Sequence, residues 1–320
     1  MTRVAVIDCG TNSIRLLVAD VEQGADSPDR AMADVVRRME IARLGEGVDR
    51  TGELAEGALA RTFGVIEDYA DQCRELGVER VRVVATSATR DAANRQVFLE
   101  GVRERMGVLP EVLSGDEEAR LSFLGAAAGF GQGLAEPILV VDIGGGSTEL
   151  VLGAAGEVLA EYSMDVGSVR MKERHLASDP PSDEEILAAR EDVERSLDAA
   201  NAVVALSRAR TIVGVAGTIT SVTAEALGLA AYDSAAIHGS VLPLAAHLHA
   251  CDWFLTNPLE ERRALGHMHP LRADVIGAGA LVWSQVLDRV VREARREGVE
   301  LETVVTSERD ILDGAALALA

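Results

Sequence analysis

Lysine is almost missing from this 320-residue sequence: of 31 basic residues, Lys172 is the single lysine and the other 30 are arginine. A P-loop needs a lysine directly after its glycine run. Lys172 stands in Val169-Arg170-Met171-Lys172, so that nucleotide-binding device is excluded, and a Schiff-base enzyme would have Lys172 alone. Aromatics are scarce at 3 %, so the cores must be Ala, Val, Leu and Ile packing, which the 48 % apolar content supplies. Positive charge is short as well, with 31 basic residues against 52 acidic and a formal charge of −21. That balance argues against nucleic acid or an anionic membrane as partner, because both need a basic footprint. No run approaches the ~18 consecutive apolar residues of a membrane span. Three scattered cysteines, Cys9, Cys73 and Cys251, make no CxxC and no disulfide framework, which fits a reducing cytoplasm. The N-terminus runs straight into Val4–Asp8, which reads as a strand and not as a signal peptide.

What is present is an alternation of strand-length apolar runs with longer segments of helical period. Val4–Ile7, Val81–Ala85, Ile138–Val141 and Thr211–Val215 predict buried strands rich in Val and Ile. Leu54–Leu76 and Glu184–Leu206 predict amphipathic helices. Pro180-Pro181 precedes the second, and Ser182-Asp183-Glu184-Glu185 is its capping box. Such alternation predicts an α/β architecture, and the length suits two domains. Asp26–Arg30 predicts a polar turn, and Gly129–Pro137 a Gly-rich connection between two halves.

The chain also repeats itself. Val4–Val18 (VAVIDCGTNSIRLLV) lies over Ile138–Leu152 (ILVVDIGGGSTELVL) at an offset of 134 residues, far beyond a solenoid period. Asp8 falls on Asp142, Gly10 on Gly144, Ser13 on Ser147 and Leu16 on Leu150. Each copy is a strand, an Asp-x-Gly turn with small polar residues, and a second strand. The offset predicts two duplicated α/β lobes.

A turn of this composition sets successive backbone N–H groups in a concave arc. Glycine permits the close approach, and such a nest suits phosphate. A lone Asp-x-Gly turn is a simple hairpin; two with matched serines predict a pair of phosphate nests. An aspartate repels phosphate, so Asp8 and Asp142 would hold Mg²⁺ or its waters. Arg15 aligns with Glu149. Facing the ligand, Arg15 would grip phosphate and Glu149 would be a second carboxylate beside Asp142, although strand alternation could equally turn both away.

Two further elements carry candidate chemistry. Ser114 and Glu117 form a capping box opening a helix that runs to about Ala128. Glu118 is then left over, and on the residues alone it reads first as an exposed charge favoured by the helix dipole. Val213-Gly214-Val215-Ala216-Gly217-Thr218 predicts a strand, a Gly-Thr turn and a helix N-terminus. This is either a third phosphate site or an ordinary βα turn.

In this order the elements resemble the exopolyphosphatase/guanosine pentaphosphate phosphohydrolase (Ppx/GppA) family of the actin/Hsp70/sugar-kinase fold. The matching residues are Asp8–Ser13, Ala85–Asn94, Ser114–Ala119, Asp142–Glu149, Ala216–Thr218 and Arg272–Gly279. The resemblance covers essentially the whole chain. It implies an α/β, ribonuclease H-like duplicated fold with an interlobe active-site cleft. The lobes would be 1–125 and 126–306, with 307–320 packing back on the first. It further implies Mg²⁺-assisted (or Mn²⁺-assisted) attack of water on a phosphoanhydride, with Glu118 as general base in place of its bland reading. Asp8, Asp142 and Glu149 become the metal and water carboxylates, Glu149 counting as catalytic too. The phosphate-binding residues become Gly10, Thr11, Asn12, Ser13, Arg15, Gly144, Gly145, Gly146, Ser147, Thr148, Gly217 and Thr218, with Arg90 as a phosphate-side arginine.

The expected activity is therefore exopolyphosphatase, with inorganic polyphosphate of short to medium length as substrate and the cytoplasm as its place. Guanosine pentaphosphate is the alternative substrate, and a polyphosphate or alarmone sensor the non-enzymatic alternative; a homodimer is allowed. Longer family members continue into C-terminal helical domains while this chain stops at Ala320, which bears on processivity. Arg170, Lys172 and Arg174 form the densest basic cluster and read either as a chain-guiding patch or as a solvated turn. The pairs His247/His249 and His267/His269 lack an evident third ligand and read as non-metal. Cys9 reads as small-residue packing.

Overall fold

The computed structural model describes residues 1–22, 32–130 and 133–319; the polar turn expected at Asp26–Arg30 lies outside them. The chain divides into two compact units, Met1–Ala128 with Ile311–Ala320, and Gly129–Asp310.

The first unit begins with β1 (Thr2–Cys9), β2 (Ile14–Val21) and β3 (Met32–Glu40). There follow α1 (Val48–Thr51), α2 (Glu56–Glu75), β4 (Arg80–Ala85), α3 (Ser87–Asp91), α4 (Arg95–Met106), β5 (Glu111–Val112) and α5 (Gly115–Ala128). Its sheet has the order β3-β2-β1-β4-β5. β1, β2 and β3 form an antiparallel meander, and β4 and β5 add in parallel on the other side of β1. β1 and β2 are covered on both faces, which is why they read as almost unbroken apolar runs. One face packs on Ile66, Tyr69 and Phe98 from the helices. The other packs on Leu312, Ala315 and Ala316 of the C-terminal helix, Ile311–Leu319.

The second unit carries β6 (Ile138–Ile143), β7 (Thr148–Ala154), β8 (Glu157–Met164), α6 (Ser168–His175), α7 (Asp183–Val204) and β9 (Thr211–Val215). It continues through α8 (Ala216–Ala226), α9 (Ser234–Ile237), β10 (Val241–Pro243), α10 (Leu244–Thr256), α11 (Leu259–Ala264), α12 (Ile276–Arg296) and β11 (Thr303–Thr306). Its sheet order is β10-β11-β9-β6-β7-β8. β6, β7 and β8 form the meander, and β9 then β11 add in parallel. Apart from the extra edge strand β10, this repeats the topology of the first unit. The protein is a duplicated α/β fold. The core around Trp283 and Phe254, with Tyr162 and Trp253 at its margin, is mostly aliphatic, in keeping with the shortage of aromatics.

The capping box expected at Ser182 is formed. The Ser182 side chain accepts from the Glu185 amide, and Glu185 Oε2 accepts from the Ser182 amide at 2.9 Å. Ile311–Ala320 groups with the first unit, while Thr303–Thr306 is a strand of the second sheet. Among the described residues, no helix is long and apolar enough to cross a membrane.

Candidate active site

The repeat is exact at the level of backbone pairing. Asp8 stands opposite Arg15 across β1 and β2, and Asp142 stands opposite Glu149 across β6 and β7. In both turns the first glycine amide donates to the serine carbonyl at 3.0 Å, Gly10 to Ser13 and Gly144 to Ser147. A Cβ on Gly10 or Gly144 would lie 3.2 or 3.3 Å from those carbonyl oxygens, so glycine fits both corners.

In the first unit the paired residues neutralise one another. Arg15 donates from Nε and Nη2 to Oδ2 of the buried Asp8, at 3.0 and 2.7 Å. The expectation had Asp8 toward metal and Arg15 toward phosphate; in the structure the guanidinium supplies the counter-charge that a cation would supply to Asp8. The turn is held from behind by the segment after β3. The Gly45 amide donates to Thr11 O and the Arg43 amide to Asn12 O, both at 2.8 Å. Thr11 Oγ1 shares a 2.8 Å hydrogen bond with Ser87 Oγ.

Glu118 does not stand in solvent. The Ser114 box uses Glu117, whose Oε2 accepts from the Ser114 amide and hydroxyl at 2.8 Å each, and these bonds hold the Glu117 carboxyl below the usual carboxylate range. One position on, Glu118 turns inward to 8 % exposure. Nη1 of Arg90, from α3, donates to Glu118 Oε2 at 3.2 Å and to Leu113 O at 2.8 Å. A buried carboxylate requires such a partner. Arg90, expected on phosphate, thus holds the candidate base.

In the second unit the paired residues are both acidic. Asp142 and Glu149 are buried, at 6 % and 1 % exposure. Across the next strand pairing, Ser163 Oγ donates to Glu149 Oε1 at 2.7 Å. Thr148, expected on phosphate, donates its hydroxyl to Val166 O at 2.7 Å. The N-terminus of α6 lies against the back of the turn. Ser168 N donates to Gly144 O at 3.0 Å, Val169 N to Gly145 O at 2.8 Å, and Arg170 Nε to Gly146 O at 2.6 Å. In a trans peptide C=O and N–H point opposite ways. Turning these carbonyls to the rear therefore turns the following amides to the front, the arrangement of an anion nest.

The third loop joins β9 to α8. Ala216 has φ +66°, a left-handed conformation that costs an alanine roughly 1–2 kcal/mol and recurs at functional sites. Gly217 lies under the Arg272 guanidinium, which donates to Gly217 O and Ser221 Oγ at 3.2 Å each. A Cβ on Gly217 would meet Arg272 at 2.5 Å. Thr218 is buried, and Gly279 leaves room for it beside Ser168.

Asp142 and Glu149 are a donor pair that could hold a metal. Among the described residues no group of three or more His, Cys, Asp or Glu forms a cage. A sparse site suits Mg²⁺, which is bound through one or two carboxylates while waters and phosphate oxygens complete its octahedron.

The basic cluster lies on α6 and not on a turn, and it splits. Arg170 faces the glycine turn, Lys172 Nζ caps Leu176 O, and Arg174 reaches Asp192 Oδ2 at 3.3 Å. His247 and His249 lie on α10, where i and i+2 diverge; His247 Nδ1 accepts from Trp283 Nε1 at 3.2 Å. His267 Nδ1 is 2.8 Å from Leu229 O, and His269 Nδ1 accepts from the Leu271 amide at 3.2 Å. Cys9 is fully buried, and burial pushes its thiol well above the usual range, so it is packing. Sequence reasoning missed Ser163 and Gly167 and saw Arg170 only as part of a basic cluster; the signal for Gly167 was its place in Val166-Gly167-Ser168.

A family model described as the Ppx/GppA phosphatase family matches residues 17–299. Exopolyphosphatase 2 of Mycobacterium tuberculosis (strain ATCC 25618 / H37Rv) is 50 % identical over 326 residues, covering 100 % of this chain and 99 % of that protein. The crystal structure of an exopolyphosphatase-like protein superposes with TM-score 0.94 at 44 % identity, over 99 % of this chain and 98 % of that one. A Ppx/GppA family member from Aquifex aeolicus superposes with TM-score 0.77 at 31 % identity, over 99 % and 97 %.

Proposed function

Since this chain belongs to the Ppx/GppA phosphatase family, we propose that it is an exopolyphosphatase releasing terminal phosphate from inorganic polyphosphate by attack of water. The observation that carries this reading is Glu118: a buried carboxylate, released from capping duty by Glu117 and held by Arg90. Placed against a water, it accepts the proton as the water oxygen attacks phosphorus and the bridging P–O bond breaks. The amides of Thr11–Ser13 and Gly145–Ser147 bind phosphate oxygens and stabilise charge that builds on them. The Arg15 guanidinium removes the repulsion that Asp8 would exert on phosphate at the first turn.

Asp142 and Glu149 would hold Mg²⁺ or Mn²⁺, with Ser163 fixing the Glu149 carboxylate. When bound, the metal neutralises charge on the transferring phosphoryl group. Two relatives that match end to end, the Mycobacterium tuberculosis protein and the structure with TM-score 0.94, bear exopolyphosphatase or exopolyphosphatase-like names, which favours polyphosphate over guanosine pentaphosphate. The buried, unbridged thiols of Cys9, Cys73 and Cys251 support a cytoplasmic setting.

The test is phosphate release, with Mg²⁺, from tripolyphosphate, long polyphosphate and guanosine pentaphosphate side by side, on the wild type and Glu118→Gln. We expect polyphosphate to be the better substrate. Glu118→Gln should lose roughly 10²–10⁴-fold in kcat, the usual range for a general base, while still binding polyphosphate. A wild type that binds polyphosphate but releases none would make the protein a sensor. Unchanged turnover in Glu118→Gln would remove Glu118 from the chemistry.

A further inference from the structure

We infer that Arg170 is a positioning residue for the second glycine turn, its guanidinium supplying a hydrogen bond that a main-chain amide supplies in the first. At the 134-residue offset, Thr11 corresponds to Gly145 and Asn12 to Gly146. Each turn has its carbonyls drawn to the rear by the segment that follows the third strand of its meander. Thr11 O accepts from the Gly45 amide at 2.8 Å, and Gly145 O accepts from the amides of Val169 and Arg170 at 2.8 and 3.1 Å. At the next residue the copies diverge. Asn12 O accepts a backbone amide, that of Arg43, at 2.8 Å. Gly146 O accepts Arg170 Nε at 2.6 Å.

The consequence follows from the peptide plane. The Gly146 carbonyl and the Ser147 amide belong to one rigid trans unit and point opposite ways. By holding the carbonyl, Arg170 sets the direction of the Ser147 N–H. Gly146 has no side chain to restrict this rotation, so the arginine takes over a restraint the sequence of the turn does not provide. A charged donor also makes the stronger bond. The rest of the basic cluster serves elsewhere: Lys172 closes α6 on Leu176 O, and Arg174 ties α6 to Asp192. The cluster is thus one positioning arginine and two structural side chains, and no track for a polymer.

This inference rests on the reading that the second turn takes phosphate, and two readouts keep them apart. The first is kinetic. Arg170→Ala should lower kcat and kcat/KM on tripolyphosphate and long polyphosphate alike by roughly 10²–10³-fold, the scale of one lost transition-state donor. Added guanidinium at millimolar concentration should restore part of that loss. Arg170→Lys keeps the charge but loses the Nε donor and should stay slow. Lys172→Ala should turn over as the wild type does. A loss confined to KM and growing with chain length, or full activity in Arg170→Lys, would overturn the proposal. So would a lowered Tm with normal turnover of the folded protein.

The second readout needs no catalysis. In ¹H–¹⁵N spectra, inorganic phosphate should shift the Ser147 amide of the wild type but not of Arg170→Ala, with shifts at Thr11–Ser13 the same in both. Equal Ser147 shifts in the two proteins, or none in the wild type, would overturn the positioning role. An Arg170-dependent shift in a protein that releases no phosphate would instead sink the enzymatic reading and leave this one standing.

Discussion

Gly167, the residue before α6, offers the sharpest test of how the second turn is held. Its φ of −159° is extended backbone open to any residue, so an alanine there meets no conformational penalty. The obstacle is contact alone. A Cβ would lie 2.6 Å from the carbonyl carbon and oxygen of Gly145 and 2.7 Å from the Gly146 nitrogen. Bringing these to an ordinary 3.4 Å requires a movement of roughly 0.8 Å. The obstructing atoms are backbone, and the backbone is tied to α6 by Ser168, Val169 and Arg170, so turn and helix cannot separate without breaking those bonds. An insertion of this kind costs about 1–3 kcal/mol of stability, or a Tm lower by about 2–12 °C at 2–4 °C per kcal/mol. A reacting group misplaced by nearly an ångström costs on the order of 10²-fold in rate. Gly167→Ala should therefore remain folded and lose about two orders of magnitude in phosphate release at saturating polyphosphate. Gly156→Ala is the control. Gly156 sits at φ +77° on the exposed turn between β7 and β8 with no atom in the way of a Cβ, so that variant should lose about 1 kcal/mol and no turnover. If Gly167→Ala keeps both wild-type Tm and wild-type kcat, the turn is not clamped as described.

Other perturbations follow from single contacts. His247 is buried against Trp283, and burial lowers its pKa from the usual 6.5 to about 4. The unfolded chain therefore takes up the proton first, and this stability is complete above pH 6.5. It is lost as pH falls from about 6.5 towards 4, by about 3 kcal/mol in all; urea unfolding across that range checks it, and His247→Leu should flatten the profile. Asp313 of the C-terminal helix is fully buried and accepts from Arg37 Nη2 at 2.6 Å. Asp313→Ala should remove that bond while Arg37 keeps Asp34, and cost about 1–3 kcal/mol in denaturant titration, without changing KM. Ser163→Ala should lower kcat by a few-fold and raise the Mg²⁺ concentration needed for half-maximal rate. Chelation with EDTA should stop phosphate release, and Mg²⁺ or Mn²⁺ should restore it.

Much of this was legible in the chain because it rests on local pattern. Continuous Val/Ile runs mark strands covered on both faces, Ser182 and Glu185 mark a helix start, and two Asp-x-Gly turns at one offset mark a duplicated fold. What escaped lies in tertiary register. Nothing in Asp8 or Arg15 says that a cross-strand pairing makes each the other's partner, and nothing in Arg90 says that it turns to Glu118. Glu118 read alone as an exposed helix-start charge; its burial comes from the packing of α5 and is not encoded by any spacing. Gly167 draws no reading and Arg170 reads only as part of a basic cluster, since close approach to a turn more than twenty residues earlier leaves no periodic trace.

The rear-clamped turns bear on how the protein responds to ionic strength. Proteins that grip polyanions through lysine and arginine displace a condensed counterion for each phosphate neutralised, and their affinity falls steeply as salt is added. Main-chain amides carry no net charge, and a ligand seated on them releases few such ions. With Arg15 already paired to Asp8 and Arg90 to Glu118, a polyphosphate end held chiefly by peptide dipoles should bind with a shallow salt dependence. An acidic chain with one lysine would then keep its substrate in media where a basic groove would have let it go.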